Sequence, residues 1–335
     1  MIVQTPPWVP LALALIACGR TSPPAEPSMG QRSADEQPAD DAGERAEADA
    51  EPAKAPRTMP TIPDPPQLAR VAQGGRLFDK WWADVPDFVP AQKGRRGRGG
   101  PFDDGTLPDS TGERVLNDAG HDYRLVRFFG WDLQGARGVD GPGRRNIPTV
   151  RTESLLDPKH HPEGLRALIF DGAPGFPAFG SVIDDEGIDS IVAFIMAVRQ
   201  GPLPDPRKVY ANVPVASAPY ILRPGGDPER GHRTIANRCA QCHGEDGTAL
   251  LLDDGALSLG TFGRTEAFEG WLKVAVGHPG SVMKSQLPGE LDGPGHTTYV
   301  LDVFAALCDR SRYPRGPATD PDVPDDDPRC DRYLR

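Results

Sequence analysis

The sequence is poor in several residue classes, and each shortage excludes a kind of structure or function. Aromatic residues make up only 7% of the 335 residues, whereas glycine and proline occur 38 times each. This composition predicts long loops and at least one unstructured stretch. The formal net charge of −11 argues against a concentrated basic face for nucleic acid. The single basic run, between Lys93 and Arg98, is spaced by glycines, so it is interpreted as a solvated loop or as a docking patch for an acidic partner.

The chain also lacks a long apolar run near its start. Residues 9–17, VPLALALIA, are too few to span a bilayer but have the length of an export-signal core. They lead directly into Cys18 in the segment LIACG, which resembles a bacterial lipobox, although no Lys or Arg precedes the run. We predict a lipoprotein signal peptide over residues 1–18, with Cys18 lipidated and the protein anchored at the periplasmic face of an envelope membrane, inner or outer. The alternative is a plain secretory signal with a chance cysteine.

Residues 19–66 lack the apolar side chains that a folded core requires. Between Arg20 and Pro60 there is no aromatic residue, and nine Asp or Glu residues are interspersed with Ala and Pro. Such a segment cannot bury enough apolar surface to offset its chain entropy. We therefore predict that residues 19–66 are a disordered tether that lets the folded part reach away from the membrane.

Cysteine is scarce, with five in all, but two of them form a motif with the histidine that follows: Cys239-Ala-Gln-Cys242-His243. This C-x-x-C-H spacing is typical of covalent c-type haem attachment. Two thiols three positions apart on a helical turn can each bond one haem vinyl group, and the adjacent imidazole can reach the iron. A redox dithiol would need a βαβ context, and a zinc site would need further ligands nearby. Because the motif occurs once, we predict one haem c.

Around this motif, residues 226–312 resemble a small class I cytochrome c domain. The segment 226–231, GDPERG, is similar to the start of the helix that precedes the motif in that family, and residues 297–307 are similar to its closing helix. The resemblance implies that His243 and Met283 are the two axial iron ligands.

The assignment of the second axial ligand leaves alternatives open. Lys284 follows Met283 where the family usually has proline. His278 and His296 are competing ligands, and Met283 could also be a core side chain that fills a gap.

Two cysteines remain, Cys308 and Cys330. An oxidising compartment and an even remainder favour a disulfide between them, which would hold the acidic tail, residues 313–335, against the domain. Two free thiols are the alternative.

A second stretch has the surroundings of a haem site without its ligands. RLVRFFGWD at 124–132 aligns with RCAQCHGED at 238–246, with Arg, Gly and Asp in common. Further on, GAPGFPAFG at 172–180 resembles the family's axial-ligand loop with Phe in place of Met. We predict that residues 67–202 are a cytochrome c-like domain that has lost its haem; the alternative is an unrelated helical domain. The degenerate site would comprise Leu125, Phe128, Phe129 and Phe176.

The predicted fold class is all-α, with two cytochrome c-like helical domains in tandem (67–202 and 226–312) joined by a linker (203–225). The predicted function is single-haem electron transfer to or from a redox partner protein in the envelope. The haem-less domain would serve as scaffold or docking module, and the protein would not be an enzyme. The alternatives are a haem enzyme, a ligand-responsive haem protein with an exchangeable sixth site, and a structural subunit of a larger oxidoreductase.

Overall fold

A computed structural model of the chain describes residues 65–85, 102, 104–117 and 121–335. The predicted signal peptide, Cys18, almost all of the predicted tether and the basic run at 93–98 lie outside the described residues. None of the helices in the described ranges is long and apolar enough to cross a membrane.

The described part of the chain is mostly helical, which confirms the predicted all-α class. Two short antiparallel strand pairs accompany the helices: β1 (Leu107–Pro108) with β2 (Arg114–Val115), and β3 (Tyr210–Asn212) with β4 (Tyr220–Leu222). The α-helices of the described residues are α1 (Pro65–Lys80), α2 (Leu125–Phe129), α3 (Pro162–Asp171), α4 (Asp185–Gln200), α5 (Pro206–Val209), α6 (Pro228–Thr234), α7 (Ala240–His243), α8 (Leu259–Thr265), α9 (Ala267–Val276) and α10 (Gly293–Leu307).

We call residues 65–202 the first half and residues 226–335 the second half. In each half the first helix crosses the last long helix at a glycine. A Cβ built on Gly74 of α1 would lie 1.8 Å from the Ser190 carbonyl oxygen of α4, and one built on Gly231 of α6 would lie 2.0 Å from the Asp302 carbonyl oxygen of α10. A larger side chain at either position would force the two backbones apart.

The segment between the two halves and the C-terminal tail of the second half are both ordered. Residues 203–225 contain α5 and the β3–β4 pair, in which Tyr210 and Tyr220 are buried with ring centroids 5.4 Å apart. The tail, residues 313–335, packs against the rest of the second half. There the fully buried guanidinium of Arg264 donates to both carboxylate oxygens of Asp322 at 2.8 and 2.7 Å. The buried apolar residues of both halves and of the segment between them belong to one continuous hydrophobic cluster.

The contact between the halves is built around a buried carboxylate. Asp79 of α1, 1% exposed, forms ion pairs with Arg124 and with Lys273 of α9. Beside it, the Trp271 indole N–H donates to the Trp131 carbonyl oxygen at 3.1 Å. Burial by itself would raise the pKa of Asp79, but Lys273 and Arg124 together hold it below its ordinary value.

We expect Asp79→Asn to lower the free energy of unfolding by about 3–5 kcal/mol at neutral pH, because it leaves buried cations without their counter-charge. The lowered pKa means that the carboxylate stabilises the fold above its unfolded-state pKa near 3.8 and that this stabilisation is lost as the pH falls through the folded-state value. Denaturant titrations at pH 7 and pH 3 should therefore differ less for the variant than for the wild type.

The matched control is Asp325→Asn, since Asp325 pairs with Arg310 but its side chain is 92% exposed. Its effect should stay below about 1 kcal/mol. Equal effects of the two substitutions would contradict a buried Asp79 anchor.

Candidate functional site

The C-x-x-C-H motif lies at the end of one nearly continuous helical segment. After α6 the chain passes through a π-helical turn, Ile235–Cys239, into α7, which ends at Gly244 with φ 82°. Insertions of this kind are frequent at functional sites because they re-aim the side chains that follow. The result is that His243 is buried, Cys239 is half-buried and Cys242 is exposed.

Cys239 and His243 face a cavity of about 520 Å³, and Met283 lies on its wall as well. The apolar part of the wall comes from helices and loops of the second half, and the volume is in the range of cofactor sites. The structure thus brings together three of the four haem-binding residues predicted from the sequence, and Cys242 lies one helical turn from Cys239. Apolar wall residues include Leu252, Leu259, Phe262, Val303, Phe304 and Leu307.

The protonation of the motif residues follows from their burial. Burial lowers the pKa of His243, so the imidazole is neutral, the form that coordinates a metal. The pKa of Cys239 is raised to about 11, chiefly by burial, so its side chain is a thiol rather than a thiolate. The Nδ1 atom of His243 is buried without a hydrogen-bond partner among the described residues, which is unusual for a histidine with only a structural role.

Met283 is brought to the cavity by a tight turn after α9. The turn begins at Gly277, with φ 90°, and is closed by the His278 backbone N–H, which donates to the Met283 carbonyl oxygen at 3.0 Å. A Cβ on Gly277 would lie 2.4 Å from that same oxygen, so only glycine fits. His278 lines the cavity too.

The other competing ligand, His296, is engaged elsewhere. Its side chain is 2% exposed, and its ring nitrogens lie 2.9 Å from the Pro202 oxygen and 2.7 Å from the Pro288 oxygen. Both nitrogens therefore already have partners at the start of α10. Met283 and His278 remain as the candidates on the cavity wall.

The residues present fit a haem c. Two thiols, a neutral imidazole and a thioether at an apolar cavity are the donors that a covalently attached haem requires. Within the described ranges there is no group of three or more His, Cys, Asp or Glu that could hold a metal ion directly. In such a site Cys239 and Cys242 would hold the ring, and His243 and Met283 would be the iron ligands.

The stretch predicted to be a degenerate haem site folds into a packed aromatic cluster in the first half. Leu125, Phe128 and Phe129 of α2 are each at most 3% exposed, and Phe176 is fully buried. The Phe176 ring centroid lies 4.8 Å from that of Phe128 and 5.3 Å from that of Phe129, both edge-to-face. The helix ends at Gly130 with φ 77°, close to the φ of 82° at Gly244.

The residues on the polar side of the cavity were not predicted from the sequence. It includes four basic side chains of the first half and several charged side chains of α9 and its flanks. Their positions in the sequence carry no motif; only the Arg that the two aligned stretches share, Arg124 in the first half, pointed to this region. These residues are His121, Arg124, Arg127, Arg145, Glu266, Glu269 and Lys273.

No protein-family model matches the chain, and no curated protein matches it. Among solved structures, thiosulfate dehydrogenase from Marichromatium purpuratum, in its as-isolated form, is similar at 17% identity with a TM-score of 0.20. The alignment covers 76% of this chain and 49% of that one, so the chain spans about half the length of that structure. A similarity this weak carries no argument about fold, substrate or activity.

The prediction that the protein is not an enzyme is withdrawn, since the solved structure reported above is an enzyme, a dehydrogenase. The physical reason for the error is that C-x-x-C-H reports an attached haem and not what happens at it. The same attachment serves carriers and enzymes alike.

Proposed function

We propose that this protein binds one haem c covalently and transfers single electrons through it in the cell envelope. The observation that carries the proposal is that Cys239, His243 and Met283 lie on the wall of one largely apolar cavity. When bound, haem c supplies a one-electron iron couple. The apolar walls would exclude water, and the two thioether bonds would keep the cofactor from dissociating.

The two proposed iron ligands indicate the direction of electron transfer. The neutral imidazole of His243 and the thioether of Met283 would give a higher reduction potential than two imidazoles. That suits electron transfer toward the oxidising end of a respiratory chain, with a redox partner protein in the envelope.

The proposal extends to the arrangement of the chain. Lipidated Cys18 and the tether would place the folded part at the periplasmic face of a membrane. The first half would be a haem-less copy of the second, because both halves cross their end helices at a glycine and end the aligned helical turn at a glycine with positive φ. Its aromatic cluster would take the place of the cofactor as a core.

A second candidate is a haem protein whose sixth coordination position is exchangeable. Met283 lies on a turn whose neighbouring side chain, Val282, is 88% exposed, and His278 on the same turn lines the same cavity. A short turn of this kind can move more easily than a helix, so an external ligand could displace the thioether.

The experiment that tests the proposal is spectroscopic. The purified protein should contain one haem per chain in a pyridine haemochrome assay, and its ferric spectrum should show the methionine-to-iron charge-transfer band. Met283→Ala should abolish that band, convert the iron to a high-spin form and lower the reduction potential.

His278→Ala is the control and should leave the spectrum unchanged. If His278→Ala changes the spectrum and Met283→Ala does not, the ligand assignment is wrong. A Met band that added imidazole or cyanide removes at low concentration would favour the second candidate.

A further inference from the structure

The first half supplies a cationic end to the cavity in the second half. Its cationic side chains there are Arg124, Arg127 and Arg145, whereas burial lowers the pKa of His121 on the same wall. Two of these arginines have counter-ions within the first half, since Arg124 pairs with Asp79 and Arg145 pairs with Asp140.

Arg127 differs from them. It lies on α2, the helix whose Leu125, Phe128 and Phe129 are buried in the aromatic cluster, yet its own side chain lines the cavity of the other half. Within the described part of the chain it has no ion pair, and its Nε is buried without a hydrogen-bond partner. A half-buried guanidinium whose Nε lacks a partner is costly unless a further group neutralises it.

A second guanidinium, that of Arg145, adds positive charge that acts on Arg127. Arg145 reaches the second half, where its guanidinium lies 4.3 Å from the centroid of the Phe268 ring. Burial lowers the pKa of Arg127 most and the positive charge of Arg145 lowers it further, while the charges of Asp122 and Asp140 partly offset these effects. Two cations that repel each other beside a cavity are stabilised by an anion between them.

The acidic groups on the cavity wall are Asp253, Glu266 and Glu269, and none of them forms an ion pair with Arg127. Asp253 is exposed to solvent. Glu269 is paired with Lys273 at 3.3 Å. The pKa of Glu266 is raised to about 7, first by burial, which favours its uncharged form. The ion pairs of the described residues thus include none of Arg127, although the charges of Asp122 and Asp140 act on it, and its guanidinium can still bind a carboxylate.

The chemistry of haem c provides a matching anion. A haem is attached through its vinyl groups, and the opposite edge of the ring carries two propionate carboxylates. Cys239 lines the cavity from the second half and Arg127 lines it from the first half. The attachment site and the guanidinium thus reach one cavity from different halves, as groups that hold the two edges of a haem would.

We propose that Arg127, supported by Arg145, is a carboxylate-binding site through which the haem-less half holds a haem propionate. The inference rests on the proposed function. Arginine forms bidentate, charge-assisted hydrogen bonds with carboxylates, and a cation near the iron disfavours the oxidised state. The haem-less half thereby completes the cofactor site of its neighbour and raises its reduction potential.

The test compares the midpoint potentials of the full-length holoprotein and three variants. In Arg127→Gln the potential should fall, so that the ratio of oxidised to reduced haem at the wild-type midpoint rises about three- to tenfold. Arg127→Lys keeps the charge and should recover most of the difference. Arg137→Gln removes the same charge from an exposed residue of the same half that does not line the cavity, and should change the ratio less than twofold.

The haem content of each variant separates the two proposals. A wild-type protein without covalent haem refutes the proposed function itself. If haem content is normal but Arg127→Gln and Arg137→Gln behave alike, the carboxylate site is refuted. If the wild-type potential instead falls as phosphate is added and Arg127→Gln removes that dependence, the site binds a free anion and the propionate assignment is overturned.

Discussion

Replacing Cys239 and Cys242 together with alanine is expected to yield a protein with no covalently bound haem. No other C-x-x-C-H occurs in the sequence, and the aligned positions in the first half are occupied by Leu125 and Phe128. Without thioether bonds, a haem could be retained only by axial ligation and apolar contact. A haem-stained denaturing gel and a pyridine haemochrome assay measure the loss directly.

The matched control removes the other cysteine pair. Cys308 and Cys330 are joined by a disulfide with a Cα–Cα distance of 5.9 Å, and alanine at both positions should lower stability by about 2–4 kcal/mol without releasing haem. Haem that remains covalently attached in the Cys239→Ala, Cys242→Ala double variant would refute the attachment site.

Phe176→Ala is expected to reduce the free energy of unfolding by about 3–5 kcal/mol. The side chain is fully buried and makes edge-to-face contacts with three rings, those of Phe128, Phe129 and Phe179. Removing it would open a cavity at the centre of the first half, where no cofactor compensates. Denaturant unfolding of the holoprotein measures the loss.

Phe170→Ala serves as the control because Phe170 belongs to the same half but is only partly buried. Its cost should be clearly smaller, since part of its surface already contacts water. Equal costs would mean that the aromatic cluster does not hold the first half together, which would remove the main support for interpreting it as a replaced cofactor site.

Local features of this protein could be predicted from its sequence. C-x-x-C-H is a spacing within one helical turn, so its chemistry can be predicted without knowing the fold. The closing helix of the second half was predicted at 297–307 and is observed at Gly293–Leu307, so its end was predicted correctly and its start four residues late. The start is at Asp292, whose side chain accepts a hydrogen bond from the Gly295 backbone N–H.

The burial of the segment 203–225 and the first-half side chains on the cavity depend instead on how distant parts of the chain pack together. The sequence indicated only a linker at 203–225, but Tyr210 and Tyr220 are buried there against the rest of the core. The positions of Arg127 and Arg145 on the cavity of the other half could not be predicted either. They depend on how α1 and α9 pack, with Gly75 so close to Val276 that a Cβ would lie 2.5 Å from its side chain. Contacts between residues far apart in sequence follow from such packing, because burial and charge pairing act through space and leave no local pattern.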